Sequence, residues 1–208
     1  MPRAATAVPG EFTVVEVPPL DYLTVDGHGD PNSAPAYRDA VTSLFPLAYA
    51  LKALGRQLGH DHVVMPLEAL WSAEDMAAFT TRRDEARWDW TLLVLVPDWV
   101  TPEHVDSART AVARKGRAPS RTDVRLERYD EGLCVQTLHV GRYDDEAPVL
   151  AAMHDEFVPA QSLRMTGRHH EVYLSDPHRT APERLRTILR QPVAPGRGGQ
   201  PPGGKITP

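Results

Sequence analysis

One cysteine, Cys134, is present in the 208 residues. A lone thiol excludes an intramolecular disulfide and any zinc cage built from cysteines. Its surroundings, Leu133-Cys134-Val135-Gln136-Thr137-Leu138, read as a strand with no cue for thiol activation, so a buried structural thiol is expected. Positive charge is also in short supply: 23 Lys and Arg against 28 Asp and Glu leave a net charge of -5. Without an excess positive field to attract phosphates, nucleic acid is not expected as a partner. No segment approaches the ~18 apolar residues of a membrane span, and MPRAATAVPG at the start lacks the apolar core of a signal peptide. The protein is therefore expected to be cytoplasmic, with no membrane partner. Gly27-His28-Gly29 and Gly141 follow neither a phosphate-loop nor a dinucleotide pattern, so no nucleotide cofactor is expected. His169 and His170 are neighbours on a strand-like run and face opposite ways, while His60 and His62 sit at a helix end where imidazole complements the dipole. No metal or other cofactor is expected.

The length suits one large domain or two small fused modules. Residues 1–10 are expected to form a flexible N-terminus, 11–193 the folded part, and 194–208 (APGRGGQPPGGKITP) a disordered Gly/Pro-rich tail. Strand-like runs cover 12–17 and 22–25, with Pro18-Pro19 between them marking an edge or bend. Over 35–58, Tyr37, Val41, Leu44, Phe45, Ala48, Leu51 and Leu54 recur at helical spacing, with Gly55 or Gly59 as the stop. Strands follow at 63–71 and 88–96, joined by a charged connection that includes the pair Arg82-Arg83. Thr101 and Pro102 open a helix that ends near Lys115-Gly116. Runs at 124–129 and 133–140 read as a hairpin about Asp130-Glu131-Gly132. A helix is expected over 146–157, and a final short helix over 181–191.

The two halves echo each other. Leu23-Thr24-Val25-Asp26-Gly27-His28-Gly29-Asp30 followed by Ala34-Pro35 resembles Leu138-His139-Val140-Gly141-Arg142-Tyr143-Asp144-Asp145 followed by Ala147-Pro148. Each takes a strand to a glycine, then a polar turn, then Ala-Pro at a helix start. The match predicts a tandem duplication of a strand-helix-strand-strand module, about 11–100 and about 101–193, with a ligand cleft between the halves.

Within the second half, His169-His170-Glu171-Val172-Tyr173-Leu174 alternates as a strand does. His169, Glu171 and Tyr173 share one face, and His170, Val172 and Leu174 the other. A carboxylate among rings is costly to desolvate unless a proton or a cation meets it, which marks a binding or catalytic address; ordinary amphipathic surface is the alternative.

The motifs VVMPLEALW (63–71), WDWTLLVLVPDWV (88–100), CVQTLHVGRYDDEAP (134–148) and GRHHEVYLSDPHRTAPERLRTILRQPV (167–193) resemble the GyrI-like small-molecule-binding proteins, in particular their stand-alone bacterial members. The resemblance runs from Phe12 to Val193. It implies an α+β fold of two SHS2-like modules enclosing an aromatic, acidic cleft. With no helix-turn-helix ahead of the first module, a stand-alone protein is expected over a regulator. Some stand-alone relatives hydrolyse cyclopropane-containing DNA-alkylating compounds. The family's strand acid maps onto Glu171 and the acid of its PLE motif onto Glu68; Ala69 and Ser72 depart from the pattern of many relatives and put the ligand range in doubt.

From these readings the expected catalytic residues are Glu68, Glu171 and Tyr143, and the expected ligand-binding residues Trp71, Trp90, His139, His169 and Tyr173. Planar rings supply apolar area worth roughly 25 cal/mol per Å² and cation–π attraction of about 0.5 to 2 kcal/mol, while a buried carboxylate supplies opposite charge. The expected partners are lipophilic or cationic aromatic small molecules. Opening an activated cyclopropane needs a proton for the conjugated carbonyl and a deprotonated water for the strained carbon, roles that two carboxylates in unlike environments can divide. Simpler roles stand beside these: Trp90 as core, Trp71 as the cap of a core edge, and Glu68 as a solvated edge residue. Two rival functions remain, a non-catalytic sequestering or sensing module, and an inhibitor docking on another protein, as the family's name-giving member does with a topoisomerase.

Overall fold

The computed structural model describes residues 7–75, 84–116 and 121–196. Arg82-Arg83 and most of both expected flexible ends lie outside the described residues. In chain order the strands are β1 (Thr13–Val17), β2 (Leu20–His28), β3 (Leu67–Ser72), β4 (Asp89–Val96), β5 (Arg125–Tyr129), β6 (Gly132–Val140), β7 (Leu163–Met165), β8 (His169–Tyr173) and β9 (Arg186–Pro195). The helices are α1 (Pro35–Gln57), α2 (Pro102–Arg114), and α3 (Ala147–Ala151), which continues through a π-helical turn (Ala152–Phe157) into α4 (Val158–Ala160). None of the described helices is long and apolar enough to cross a membrane.

Two compact units divide the chain: residues 19–130, and residue 131 onward together with residues up to 18. The first builds an antiparallel sheet in the order β5-β2-β4-β3. The second builds one in the order β1-β6-β9-β8, with β7 added on the far end of β9. In the first, β2, α1, β3 and β4 follow as strand, helix, strand, strand with β4 between β2 and β3; in the second, β9 lies between β6 and β8, in an α+β fold. The division falls elsewhere than at residue 100, because hydrogen bonding sets it: β1 pairs with β6, and β5 pairs with β2.

In unit 19–130, α1 forms because Ala40, Ser43, Leu44, Leu47, Ala48, Leu51 and Gly55 return to one buried face. Pro35 occupies the first turn. At the other end His60 N–H donates to the Gly55 carbonyl at 2.7 Å and Gly59 N–H to the Arg56 carbonyl at 3.4 Å. Gly59, at φ +83°, supplies the left-handed residue this double closure needs. Helix α2 begins with Thr101 and His104 in a reciprocal cap, His104 Nδ1 accepting the Thr101 backbone N–H at 3.2 Å.

Gly27 of β2 lies opposite Trp90 of β4. A Cβ at Gly27 would fall 2.0 Å from Cη2 of the indole, which is itself only 1% exposed. With no open space to swing into, the ring must push its neighbours. Gly27→Ala is expected to lower stability by about 1–3 kcal/mol, read as a lower urea midpoint at unchanged slope.

Four expectations are corrected. The 124–129 and 133–140 strands exist but do not form a hairpin, since β5 pairs with β2 and β6 lies between β1 and β9. Glu131, expected in the hairpin tip, is 8% exposed. The final helix is a strand: Ala181-Pro182-Glu183-Arg184 makes only a 3-10 turn (Pro182–Arg184), and β9 follows with residues 187 through 193 all buried. Helical propensity in 181–191 loses to the pairing demanded by β6 and β8 on either side. Ala194 and Pro195, expected in the tail, belong to β9 and pair with Arg164 and Leu163. At the other end, Ala7 packs on Leu138, Val172 and Ile188, and Pro9 bridges to Leu138.

Candidate functional site

In β8 the burial alternates as the sequence implies, His170 and Val172 buried and His169, Glu171 and Tyr173 half-buried. The His170 side joins Leu138 and Ile188. The Glu171 side belongs to the sheet face on which Val135, Leu189 and Val193 pack against Met153 and Val158 of the helical segment. Register then fixes two rows on that face. Thr187 stands between His139 and Tyr173, and Leu189 between Thr137 and Glu171. Four expected site residues, His139, His169, Glu171 and Tyr173, thus share one face of one sheet.

Tyr143, from a 3-10 turn (Tyr143–Asp145) that follows Gly141, meets Tyr173 edge to face, ring centroids 5.7 Å apart. Burial pushes its phenol up to about 12, and the negative charges of Glu146, Glu171 and Asp176 add to this, so Tyr143 is a proton donor near neutral pH. His169 Nε2 lies 3.4 Å from Glu171 Oε1, close enough for attraction but without hydrogen-bond geometry. The π-helical turn brings His154 to a ring distance of 6.1 Å from His169. Burial, with His169 adding, pulls the His154 imidazole down to about 4, which keeps it neutral at pH 7. His139 Nε2 lies 2.9 Å from the Arg142 carbonyl and must donate to it, since a carbonyl oxygen only accepts.

The opposite face of the same sheet holds a group that sequence reasoning missed. Glu131 receives His170 Nδ1 on Oε1 and Arg190 Nη1 on Oε2, each at 2.8 Å. Arg190 Nε also donates to Gln136 Oε1 at 3.3 Å. Burial alone would raise the Glu131 carboxyl, yet His170 and Arg190 outweigh it and hold it at about 2. Cys134 lies beside this group, buried, its thiol pushed well above the usual range by burial and then by Glu131. That agrees with a structural thiol.

Unit 19–130 carries the other three expected residues, and it does not put them on one face. Trp71 and Trp90 are register partners on β3 and β4, and both rings pack on Tyr37 of α1, Trp71 stacked at 6.4 Å and Trp90 edge-on at 5.2 Å. Trp90 Nε1 donates to the Gly29 carbonyl at 3.2 Å. Trp90 is therefore core, the simpler of its two expected roles. Glu68, 5% exposed, has the parity of Leu70 on β3, and Leu70 packs with Tyr22 and Leu93 on the side away from α1. It is not a solvated edge residue.

Among the described residues, no three His, Cys, Asp or Glu side chains are placed to hold a metal ion. His60, His62 and His104 instead surround Trp99, at ring distances of 5.5, 5.8 and 5.3 Å.

A family model described as a GyrI-like small molecule binding domain matches residues 93–194. Solved structures from Listeria innocua resemble the whole chain. An uncharacterized conserved protein is 38% identical, with a TM-score of 0.83 over 90% of this chain and 94% of its own. A hydrolase encoded by lin2189 is 35% identical, with a TM-score of 0.79 over 91% of this chain and 94% of its own. A further hydrolase structure is 35% identical with a TM-score of 0.77 over the same shares. No curated protein matches the chain significantly.

Proposed function

Since the chain belongs to the GyrI-like small-molecule-binding family, we propose that it binds lipophilic aromatic molecules against the Glu171 face and hydrolyses electrophilic cyclopropane-containing compounds. The observation that carries this reading is the placement of Glu171 beside Tyr173 and His169 on a half-buried strand face, with the exposed Tyr143 meeting Tyr173 edge to face. The rings offer apolar area, the carboxylate offers charge or a proton site, and the protonated Tyr143 offers a donor. The likeness to hydrolases over nearly the full length of the chain favours turnover.

In the reaction, water adds across the strained ring. A carboxylate takes a proton from water as the oxygen bonds to the cyclopropane carbon; the ring C–C bond breaks and its electrons pass into the conjugated carbonyl, whose oxygen gains a proton from an acid. Glu171 is assigned one of these proton-transfer roles, with Tyr143 orienting the carbonyl. Incubation with a spirocyclopropyl dienone, followed by mass spectrometry, should show the product heavier by one water. Glu171→Gln should slow its formation about a hundredfold. An unchanged rate in this variant would remove the enzyme reading.

A passive sequestering role is favoured by one feature: the face built by Glu171, Tyr173 and Tyr143 lies in a single unit and needs only one carboxylate to hold a ligand. Saturable binding with no water-added product would select it.

A further inference from the structure

Two buried hydroxyls on the Glu171 face remain outside this account. Thr137 and Thr187 are each 0% exposed, and among the described residues neither Oγ1 has a hydrogen-bond partner. Thr187 sits directly between His139 and Tyr173, and Thr137 lies one row along, level with Leu189 and Glu171. Neighbouring strands hold such side chains about 4.5–5.5 Å apart, and diagonal neighbours about 7–8 Å apart. A buried hydroxyl left unpaired costs about 1–3 kcal/mol. Valine, which has nearly the same shape and higher strand propensity, would fill both positions without that cost. In native proteins such groups are few, and each calls for a reason.

We propose that Thr137 and Thr187 form a neutral hydrogen-bonding subsite that receives an uncharged oxygen-bearing group, such as a ketone or quinone carbonyl, of the molecule held against Tyr143, Tyr173 and Glu171. The inference rests on the binding reading above and gives it a ligand class. Both hydroxyls are uncharged at any pH the fold survives. The arginines of β9 have the opposite parity: Arg190 is committed to Glu131 on the other face, and Arg186 has the same parity as Arg190. The subsite therefore offers O–H donors with no β9 arginine on its face, which suits a carbonyl oxygen and not a carboxylate or phosphate. Both neutral hydroxyls can turn toward the two lone pairs of one oxygen. Aromatic area would then supply affinity, and the threonine row would decide which end of the molecule enters first.

Matched probes of one shape separate this from general greasiness. 2-Acetylnaphthalene and 2-ethylnaphthalene differ by a carbonyl in place of a methylene, and equilibrium dialysis gives a Kd for each. In the double variant Thr137→Val/Thr187→Val, the preference for the ketone over the hydrocarbon should fall about tenfold relative to the wild type. Thr137→Ser and Thr187→Ser, which keep the hydroxyls, should retain it. The ligand-free double variant should unfold at the same urea concentration as the wild type or a higher one, because it loses two unpaired buried hydroxyls; a purely structural role predicts a lower one. An unchanged preference in the double variant overturns the subsite and leaves the binding reading standing. Failure of both probes to bind the wild type overturns both.

Discussion

Glu131→Ala is expected to lower the unfolding free energy by about 3–5 kcal/mol, the range found when one member of a buried ion pair is removed. The Glu131 side chain is 1% exposed, and its two oxygens take His170 and Arg190, which are 0% and 4% exposed at the side chain. Deleting the carboxylate leaves a guanidinium in the interior without its paired charge, beside Gln136 and the His170 imidazole. The native state must then admit water or displace Arg190. Urea denaturation of the wild type and the variant reads the difference, and an unchanged midpoint would show that the network contributes nothing. Apolar replacement of both partners, Glu131→Leu with Arg190→Met, should cost much less than Glu131→Ala, because no charge is stranded. The network also ties together the three elements that must stay in register for the candidate site: the start of β6, His170 of β8 and Arg190 of β9. A one-residue slip of β8 would turn Glu171 into the core and His170 out of it. The Glu131 variant should therefore weaken ligand binding as well as stability, although no atom of Glu131 lies on the Glu171 face.

That dependence explains which parts of the molecule were legible in the sequence. The Glu171 face was legible because period-2 alternation within five residues is a local property, and α1 was legible because its apolar stripe, its opening proline and Gly59 all agree. Helix α3 was expected, but its π-helical turn and its run on to Ala160 left no periodicity signal. The ion network was not legible at all: Glu131 meets His170 and Arg190 across 39 and 59 residues, and its own neighbourhood, Asp130-Glu131-Gly132, reads as a turn. β9 was misread for a related reason. Ala181 to Arg184 carries helix-start residues, and only the presence of β6 and β8 makes the following segment a strand. Thr137 and Thr187 passed as ordinary β-branched strand residues, since nothing in CVQTLHV or RTILRQPV shows that their hydroxyls are buried on the ligand side. Glu68 and Trp71 were grouped by motif, although their odd spacing on one strand already placed them on opposite faces.

Stability should fall steeply in acid, in two stages that can be separated by mutation. His154 has a folded value of about 4 against 6.5 for the free side chain. The unfolded chain therefore takes up this proton first, and up to about 3 kcal/mol of stability present above pH 6.5 is lost as pH falls to 4. Glu131, at about 2 in the folded state against 4.5, contributes stability that is complete above pH 4.5 and is lost as pH falls toward 2, again about 3 kcal/mol. Both terms have the same sign, since in each window the unfolded state binds more protons than the folded one. Together they approach the whole stability of an ordinary domain, about 5–15 kcal/mol, so cooperative unfolding is expected between pH 4 and pH 2. Urea midpoints collected from pH 7 to pH 3 test this. His154→Leu should flatten the curve between 6.5 and 4 and leave the lower limb, whereas Glu131→Gln should start from a lower plateau and flatten the limb below 4.5. A wild-type curve that is level from pH 6.5 to pH 4 would mean that His154 takes its proton inside the folded protein without penalty. The Glu131 limb would then stand on its own.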